Sequence, residues 1–122
     1  MTASTRDLVI VCTRGTDHEL SSVALTIACG GITSGLKVYL FLTSSSVDLV
    51  RKRGIDLTHV PPLDPLKKLM EDFIGRGGTV WACPPCVKAR GYVPEDFIEG
   101  VVIQGASAMH ELIKSGAATL SF

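Results

Sequence analysis

The sequence predicts an α/β fold with a mainly parallel, five-stranded sheet and helices on both of its faces, and three observations support this prediction. Short, continuously apolar segments, typical of strands covered on both faces, recur along the chain. They alternate with segments whose apolar residues recur at helical spacing, as in sheets whose strands run in one direction. The chain has 122 residues, which is enough for one domain with a core and too few for two. We therefore expect residues 1–122 to form a single domain.

Two strands with a helix between them are predicted in the first third of the chain. Residues 8–12 and 37–42 are apolar runs bounded by polar residues, and each predicts a strand. Between them, Thr16 and Glu19 form a capping-box pattern. This pattern predicts a helix that begins near Thr16 and continues to about Ile32.

A short helix and a longer helix are predicted in the middle of the chain. Ser45 or Ser46 is expected to cap the short helix over residues 47–53. Asp64 and Pro65 are typical of an N-cap followed by proline at the first helical position. The helix that follows carries an apolar stripe made of Leu66, Leu69, Met70, Phe73 and Ile74.

Three further strands are predicted in the last part of the chain. They cover residues 78–82, 101–103 and 118–122, and the last of them is expected at an edge of the sheet. A helix capped by Ser107 and continuing to Lys114 is predicted before the last strand.

The composition argues against several classes of function. The formal net charge is zero, so the sequence has no basic stripe for nucleic acid and no polybasic segment for a membrane surface. The apolar runs are too short to span a bilayer, and we find no signal-peptide pattern, which makes a reducing cytoplasm the expected compartment. Four cysteines in such a compartment are expected to be thiols. No glycine cluster matches a P-loop or a dinucleotide-binding turn, so no cofactor is expected.

Four loops are expected to meet at the carboxyl edge of the sheet, which is the functional edge of such folds. These loops comprise residues 14–16, 43–46, 83–86 and 104–107. Cys12 ends the first strand at the same edge.

Cys83 and Cys86, in the loop of residues 83–86, form the principal candidate site. Cys83 follows a predicted strand and is expected to be the N-cap of a short helix, with Pro84 at its first position and Cys86 at its third. The start of a helix favours a thiolate, which is the reactive form of cysteine. Lys88 and Arg90 add positive charge nearby. We therefore predict sulfur or redox chemistry at Cys83 and Cys86.

The remaining cysteines and the histidines are weaker candidates. Cys12 is either a third thiol of the site or a core residue, and the core role is favoured. Cys29 lies within a helix among apolar neighbours, which favours packing more strongly. His18, His59 and His110 are scattered singly, and each is interpreted as an ordinary surface or loop residue.

The chain resembles the DsrE/DsrF-like family of small sulfur-relay proteins over nearly its whole length. The resemblance rests on the order and spacing of four segments rather than on any one of them. These segments are Gly15-Thr16 after the first apolar run, residues 35–42, residues 83–91 and residues 99–106.

The resemblance implies a three-layer α/β/α sandwich that assembles as a homotrimer or a homohexamer. Only 20% of the residues are charged, and so low a fraction suits a chain whose apolar surface is partly covered by partner subunits. It also implies that Cys83 carries a persulfide, since relay-active members have a cysteine eight residues before the glycine of a basic-residue–Gly turn, here Arg90-Gly91. Cys86 departs from the family pattern, because those members often have alanine there. A second thiol at this place could attack the persulfide, release sulfide and close a disulfide.

Three hypotheses follow for the function. In the first, the protein is a cytoplasmic sulfur relay, a candidate sulfurtransferase, that accepts persulfide sulfur from a donor protein on Cys83 and passes it to an acceptor protein. In the second, Cys83 and Cys86 form a thiol–disulfide or persulfide reductase, or a redox sensor. In the third, Cys12, Cys83 and Cys86 form a metal-binding module without enzymatic activity.

Overall fold

The computed structural model of the protein describes residues 6–122, which form five strands, four α-helices and two 3₁₀ segments. The strands are β1 (Asp7–Cys12), β2 (Lys37–Leu42), β3 (Thr79–Ala82), β4 (Val101–Ile103) and β5 (Ala118–Ser121). The helices are α1 (Glu19–Thr33), α2 (Leu66–Gly75), α3 (Pro84–Ala89) and α4 (Ala106–Lys114). The 3₁₀ segments are Ser44–Val50 and Pro94–Asp96.

The five strands form one parallel sheet in the order β4-β3-β2-β1-β5, which confirms the predicted fold class. From β1 to β4 the chain moves across the sheet in one direction, so right-handed crossovers place α1, α2 and α3 on one face. The connection from β4 to β5 returns across the sheet and places α4 on the opposite face. The result is an α/β/α arrangement of three layers. Across residues 6–122, no helix is long and apolar enough to cross a membrane.

The main hydrophobic core lies between the sheet and the face covered by α1 and α2. Alternate residues of the central strands point into it, and the predicted stripe of α2 supplies fully buried side chains. Its largest buried members include Ile10, Leu25, Leu40, Leu42, Leu66 and Phe73. This core holds the carboxyl ends of β1, β2 and β3 in fixed register, and those ends position the candidate site.

The opposite face of the sheet is only partly covered. None of the residues of α4 is buried, although the helix carries apolar side chains along one side. Tyr39 and Trp81 pack against each other on this face with ring centroids 5.3 Å apart. Val102 on the edge strand β4 is 51% exposed, and Ile113 on α4 is exposed as well. Apolar surface is therefore left uncovered around α4.

The predicted start of the first helix was wrong by about three residues. Thr16 and Asp17 form a turn, and α1 begins at Glu19 with His18 as its N-cap. The Nδ1 atom of His18 accepts a hydrogen bond from the backbone N–H of Leu20 at 3.1 Å. The capping box of Thr16 and Glu19 therefore does not form, because the histidine ring satisfies the free N–H group in its place.

Three other helix starts also differ from the prediction. The short helix after β2 is a 3₁₀ segment that begins at Ser44 and ends at Val50, with Thr43 as its N-cap instead of a later serine. Pro65 is the N-cap of α2 and not its first helical residue. Gly105, and not Ser107, is the N-cap of α4. Cap positions depend on where the preceding strand ends, so sequence pattern alone places them only approximately.

Candidate functional site

The carboxyl edge of the sheet brings the predicted loops together. The backbone N–H of Cys83 donates to the carbonyl oxygen of Leu42 at 2.9 Å, and the N–H of Thr43 donates to that of Cys12 at 3.1 Å. On the other side, the N–H of Gln104 donates to the carbonyl oxygen of Ala82 at 3.1 Å. The parallel ladder thus continues one residue beyond the assigned strands. It fixes the loops after β1, β2, β3 and β4 side by side.

The CPPC segment has the local structure that the sequence predicts. Cys83 is the N-cap of α3, Pro84 occupies the first helical position, and Cys86 occupies the third. The N–H of Val87 donates to the carbonyl oxygen of Cys83 at 3.0 Å, and the buried Val87 side chain anchors the short helix in the core. Both thiols are free and partly exposed. The Cys83 side chain makes no capping hydrogen bond to its own helix.

Two polar groups from the loop after β2 converge on the sulfur of Cys86. The Thr43 hydroxyl lies 3.3 Å from Sγ, and the backbone N–H of Ser44 donates to Sγ at 3.1 Å. Ser44 has a φ of 56°, in the left-handed region that non-glycine residues rarely adopt. This turn of the backbone directs its N–H toward Cys86.

These contacts lower the pKa of the Cys86 thiol below its ordinary value. The hydrogen bond with the Thr43 hydroxyl contributes most, and partial burial opposes it. The N–H of Ser44, the neighbouring Cys83 thiol and the positive charge of Arg90 lower the pKa further. The Arg90 guanidinium is held nearby by a 3.2 Å hydrogen bond to the Cys86 carbonyl oxygen.

Cys12 does not join this pair. Strand β2 lies between β1 and β3, so Cys12 and Cys83 are about two strand spacings, or ~10 Å, apart. The Cys12 side chain is 1% exposed in the main core, and burial raises the pKa of its thiol to about 12. Its core role is therefore confirmed. Across residues 6–122, no three side chains of His, Cys, Asp or Glu come close enough together to hold a metal ion.

Cys29 and the histidines lie apart from the thiol pair. Cys29 is buried between α1 and α2, and its thiol donates to the carbonyl oxygen of Leu69 at 3.4 Å. His18 caps α1, the ring of His59 pairs with the carbonyl oxygen of Leu63, and His110 is exposed on α4. None of these side chains hydrogen-bonds to Cys83 or Cys86 in the described part of the chain.

A cleft of about 650 Å³ lies elsewhere, near the amino ends of β3 and β4. It is lined by the end of the first 3₁₀ segment, by residues between 51 and 56 that follow it, by α2 and by residues 98 and 99 before β4. None of the four cysteines lines it. The thiol pair lies instead at the carboxyl edge of the sheet, where both cysteines are partly exposed and another protein could reach them.

We expect Cys86 to ionise at lower pH than an ordinary cysteine, and Thr43→Val to reverse part of this shift. A thiol with a lowered pKa is a thiolate over a wider range of pH, so it reacts with iodoacetamide at lower pH. The measurement is the alkylation rate of Cys86 against pH in a Cys83→Ser background, followed by mass spectrometry. Valine at residue 43 removes the hydroxyl, which is the largest cause of the lowered pKa, and should therefore move the midpoint to higher pH.

Thr26→Val is the matched control, because the Thr26 hydroxyl donates within α1, to the carbonyl oxygen of Ser22. It should leave the alkylation profile unchanged. Equal midpoints for Thr43→Val and the parent protein would show that the hydroxyl does not stabilise the thiolate.

Comparison with known families gives a match over almost all of the chain. The model of the DsrE/DsrF-like family matches residues 6–122. Two archaeal proteins are similar in sequence. The uncharacterized protein MK0008 of Methanopyrus kandleri is 38% identical over 96 residues, which cover 79% of this chain and 74% of that protein. The uncharacterized protein MJ0989 of Methanocaldococcus jannaschii is 35% identical over 95 residues, which cover 78% and 77% of the two chains.

Solved structures with the same fold are more distant in sequence. The crystal structure of the ychN protein from E. coli superposes with a TM-score of 0.79 at 19% identity and covers 98% of this chain and 100% of that one. The protein of unknown function MTH1491 from Methanobacterium thermoautotrophicum gives a TM-score of 0.72 at 17% identity, with the same coverage. At these identities the likeness establishes the fold alone.

Proposed function

This chain belongs to the DsrE/DsrF-like family, and from that premise we propose that it is a sulfur-relay protein that takes up a sulfane sulfur as a persulfide on Cys83. The observation that carries the proposal is the pair of free, partly exposed thiols at the carboxyl edge of the sheet. The Cys83 sulfur makes no capping hydrogen bond to its helix, so exchange at this atom breaks no such contact. We place the protein in the cytoplasm, where thiols stay reduced.

The relay consists of two thiol exchanges that need no net oxidant. The Cys83 thiolate attacks the outer sulfur of a donor persulfide, a new S–S bond forms, and the donor leaves as a thiolate. An acceptor thiolate then attacks the outer sulfur of the Cys83 persulfide, and Cys83 leaves as a thiolate. Donor and acceptor are proposed to be proteins, because the thiol pair lies on an exposed edge and not in the cleft described above.

The relay can be tested by loading reduced Cys86→Ser protein, in which Cys83 is the only thiol of the pair, with glutathione persulfide and removing the excess donor. Cyanide converts protein-bound sulfane sulfur into thiocyanate, which is measured by its absorbance with ferric ion. We expect about one thiocyanate per chain from the freshly loaded protein, and a loss of the protein-bound signal when a small acceptor thiol is added and then removed by desalting before cyanide. Thiocyanate no higher than in unloaded protein would sink the proposal.

The same two cysteines also support a second candidate, a thiol–disulfide oxidoreductase or redox sensor. The specific observation in its favour is that the Thr43 hydroxyl and the Ser44 N–H lie 3.3 and 3.1 Å from the Cys86 sulfur and favour its thiolate, because a thiolate next to a second thiol can close a disulfide. This candidate predicts that oxidised glutathione forms a Cys83–Cys86 disulfide without any sulfane donor.

We also propose that the protein is a homotrimer or homohexamer assembled through the surface around α4. Replacing Ile113 or Val102 with lysine should place a charge on that exposed apolar surface and dissociate the assembly. Light scattering coupled to gel filtration should give three or six times 13.0 kDa for the parent protein and a smaller mass for these variants. Leu57→Lys is the matched control, since Leu57 is 98% exposed in a loop far from α4 in sequence. A parent mass of one chain would refute the assembly.

A further inference from the structure

We propose that Cys86 gives this protein a second activity, in which the Cys86 thiolate attacks a persulfide on Cys83 and discharges its outer sulfur as hydrosulfide. The inference rests on the proposed function, because it requires a persulfide on Cys83. It goes further in assigning roles to Cys86, Thr43 and Ser44 that a simple sulfur carrier does not need.

The first argument is that Thr43 directs its hydroxyl to Cys86 instead of capping its own segment. Thr43 is the N-cap of the Ser44–Val50 segment, where a threonine hydroxyl ordinarily accepts a backbone N–H. It makes no such bond, and its hydroxyl lies 3.3 Å from the sulfur of Cys86. Only the hydroxyl can donate once the sulfur is a thiolate, so the contact becomes a charge-assisted hydrogen bond on ionisation.

The second argument is the strained backbone of Ser44. A φ of 56° is unfavourable for a non-glycine residue, and such strain persists only where the surroundings hold it in place. Here the strained residue donates its N–H to the Cys86 sulfur at 3.1 Å. Two donors from one loop thus hold a sulfur that belongs to another element, and both favour its anionic form.

The third argument is that the two cysteines lie in the same turn of α3. Cys83 and Cys86 are the N-cap and third residue of α3, so both lie within its first turn, and the pair is close enough for the Cys83 thiol to lower the pKa of Cys86. Pro84 and Pro85 between them restrict the backbone of this turn. The arrangement holds a nucleophile beside the sulfur that carries the persulfide.

The chemical step balances without an additional oxidant. The Cys86 thiolate attacks Sγ of Cys83 in the persulfide Cys83–S–SH, and a bond forms between the two Sγ atoms. The bond between Cys83 Sγ and the outer sulfur breaks, and the outer sulfur leaves with the electron pair and its proton as HS⁻. The two cysteines lose two electrons, which the sulfane sulfur gains. A dithiol reductant then returns the disulfide to two thiols for another cycle.

The discharge competes with transfer to an acceptor for the same persulfide. With an acceptor thiol bound, the outer sulfur can be taken before Cys86 reacts. Without one, Cys86 limits the lifetime of the persulfide. The substrate of the discharge is therefore the persulfide on Cys83, and the products are the Cys83–Cys86 disulfide and hydrosulfide.

The test is a single turnover with one equivalent of glutathione persulfide and no acceptor. Hydrosulfide is trapped with monobromobimane in one aliquot, while the intact mass of a second, untreated aliquot reports the state of the protein. The parent protein should release about one hydrosulfide per chain and lose about 2 Da as the disulfide closes. Cys86→Ser should gain about 32 Da, keep it, and release hydrosulfide at least about 100-fold more slowly.

Thr43→Val tests the role of the hydroxyl. It should slow release about tenfold at neutral pH, and the difference should shrink at alkaline pH, where the Cys86 thiol ionises without help. Thr43→Ser, which keeps a hydroxyl, should restore the rate. A variant that was slow only because its fold was damaged would stay slow at alkaline pH.

Two outcomes separate this inference from the proposed function. A parent protein that gains and keeps the added sulfur, or a Cys86→Ser variant that releases hydrosulfide as fast as the parent, would overturn the inference and leave the relay intact. Failure of both proteins to gain any sulfur would overturn the relay and the inference together.

Discussion

Replacing Cys83 with serine is expected to abolish the uptake of sulfane sulfur, with a rate at least about 1,000-fold below that of the parent protein. The serine hydroxyl ionises far above neutral pH and is a poor nucleophile without an adjacent base, and no histidine hydrogen-bonds at this site. The measurement is intact mass after incubation of reduced protein with glutathione persulfide. The parent protein should show transient addition of one sulfur atom, and the variant should show none.

Cys29→Ala is the control for this experiment, because it removes a thiol that is buried between two helices. It should take up sulfur at the parental rate. If Cys83→Ser still gains sulfur at the parental rate, then Cys83 is not the acceptor, whatever the family resemblance implies.

Replacing Gly78 with alanine is expected to destabilise the fold by about 3 kcal/mol, the largest effect that we predict for a single added methyl group. A Cβ atom at residue 78 would lie 2.5 Å from two ring carbons of Phe73. The Phe73 ring is fully buried and cannot move aside without disturbing the core. Urea unfolding followed by circular dichroism should show an earlier midpoint with an unchanged slope.

Gly30→Ala provides the contrasting substitution. Gly30 lies on α1, and a Cβ atom there meets nothing within 4 Å. Alanine should stabilise the helix by up to about 1 kcal/mol, because it restricts the unfolded chain and has a higher helix propensity than glycine. A neutral effect of Gly78→Ala would mean that the Phe73 ring is less constrained than its burial indicates.

The sheet was predictable from the sequence because its strands are short apolar runs covered on both faces. Residues 8–12 and 37–42 carry this pattern without interruption, and the structure places β1 and β2 on them. The α2 stripe was predictable for a similar reason, since its apolar residues recur at helical spacing and four of the five are buried. The spacing of apolar residues follows from which side chains are buried, so buried strands and helices can be recognised in the sequence.

The helix starts were harder to predict, because several residues near each start can satisfy the same free N–H groups. His18 caps α1 although Thr16 offers the more familiar pattern. Gly105 occupies the N-cap of α4 although Ser107 follows two residues later. Which residue becomes the N-cap depends on the residue at which the preceding strand ends, and the pairing of the whole sheet determines that residue.

Only the part of the candidate site that lies in one short segment, residues 83–86, was predictable from the sequence. The spacing of Cys83 and Cys86, and the proline after Cys83, indicated the start of α3 correctly. The contribution of Thr43 and Ser44 left no recognisable signal, because it comes from a loop about forty residues earlier and depends on a left-handed φ at a serine. The sequence placed residues 43–46 at the same edge but gave no reason to assign them a role.

The most direct test of the account is to locate the added sulfur in the parent protein by peptide mapping. Trypsin releases residues 77–88 as one peptide that contains Cys83 and Cys86, and it places Cys12 and Cys29 on other peptides. After a brief exposure to glutathione persulfide and alkylation of the remaining thiols, fragment ions should place about 32 Da of added mass on Cys83. Sulfur found on Cys12 or Cys29, or on no cysteine at all in a protein that has also released no hydrosulfide, would contradict the proposal that this protein carries persulfide sulfur at the carboxyl edge of its sheet.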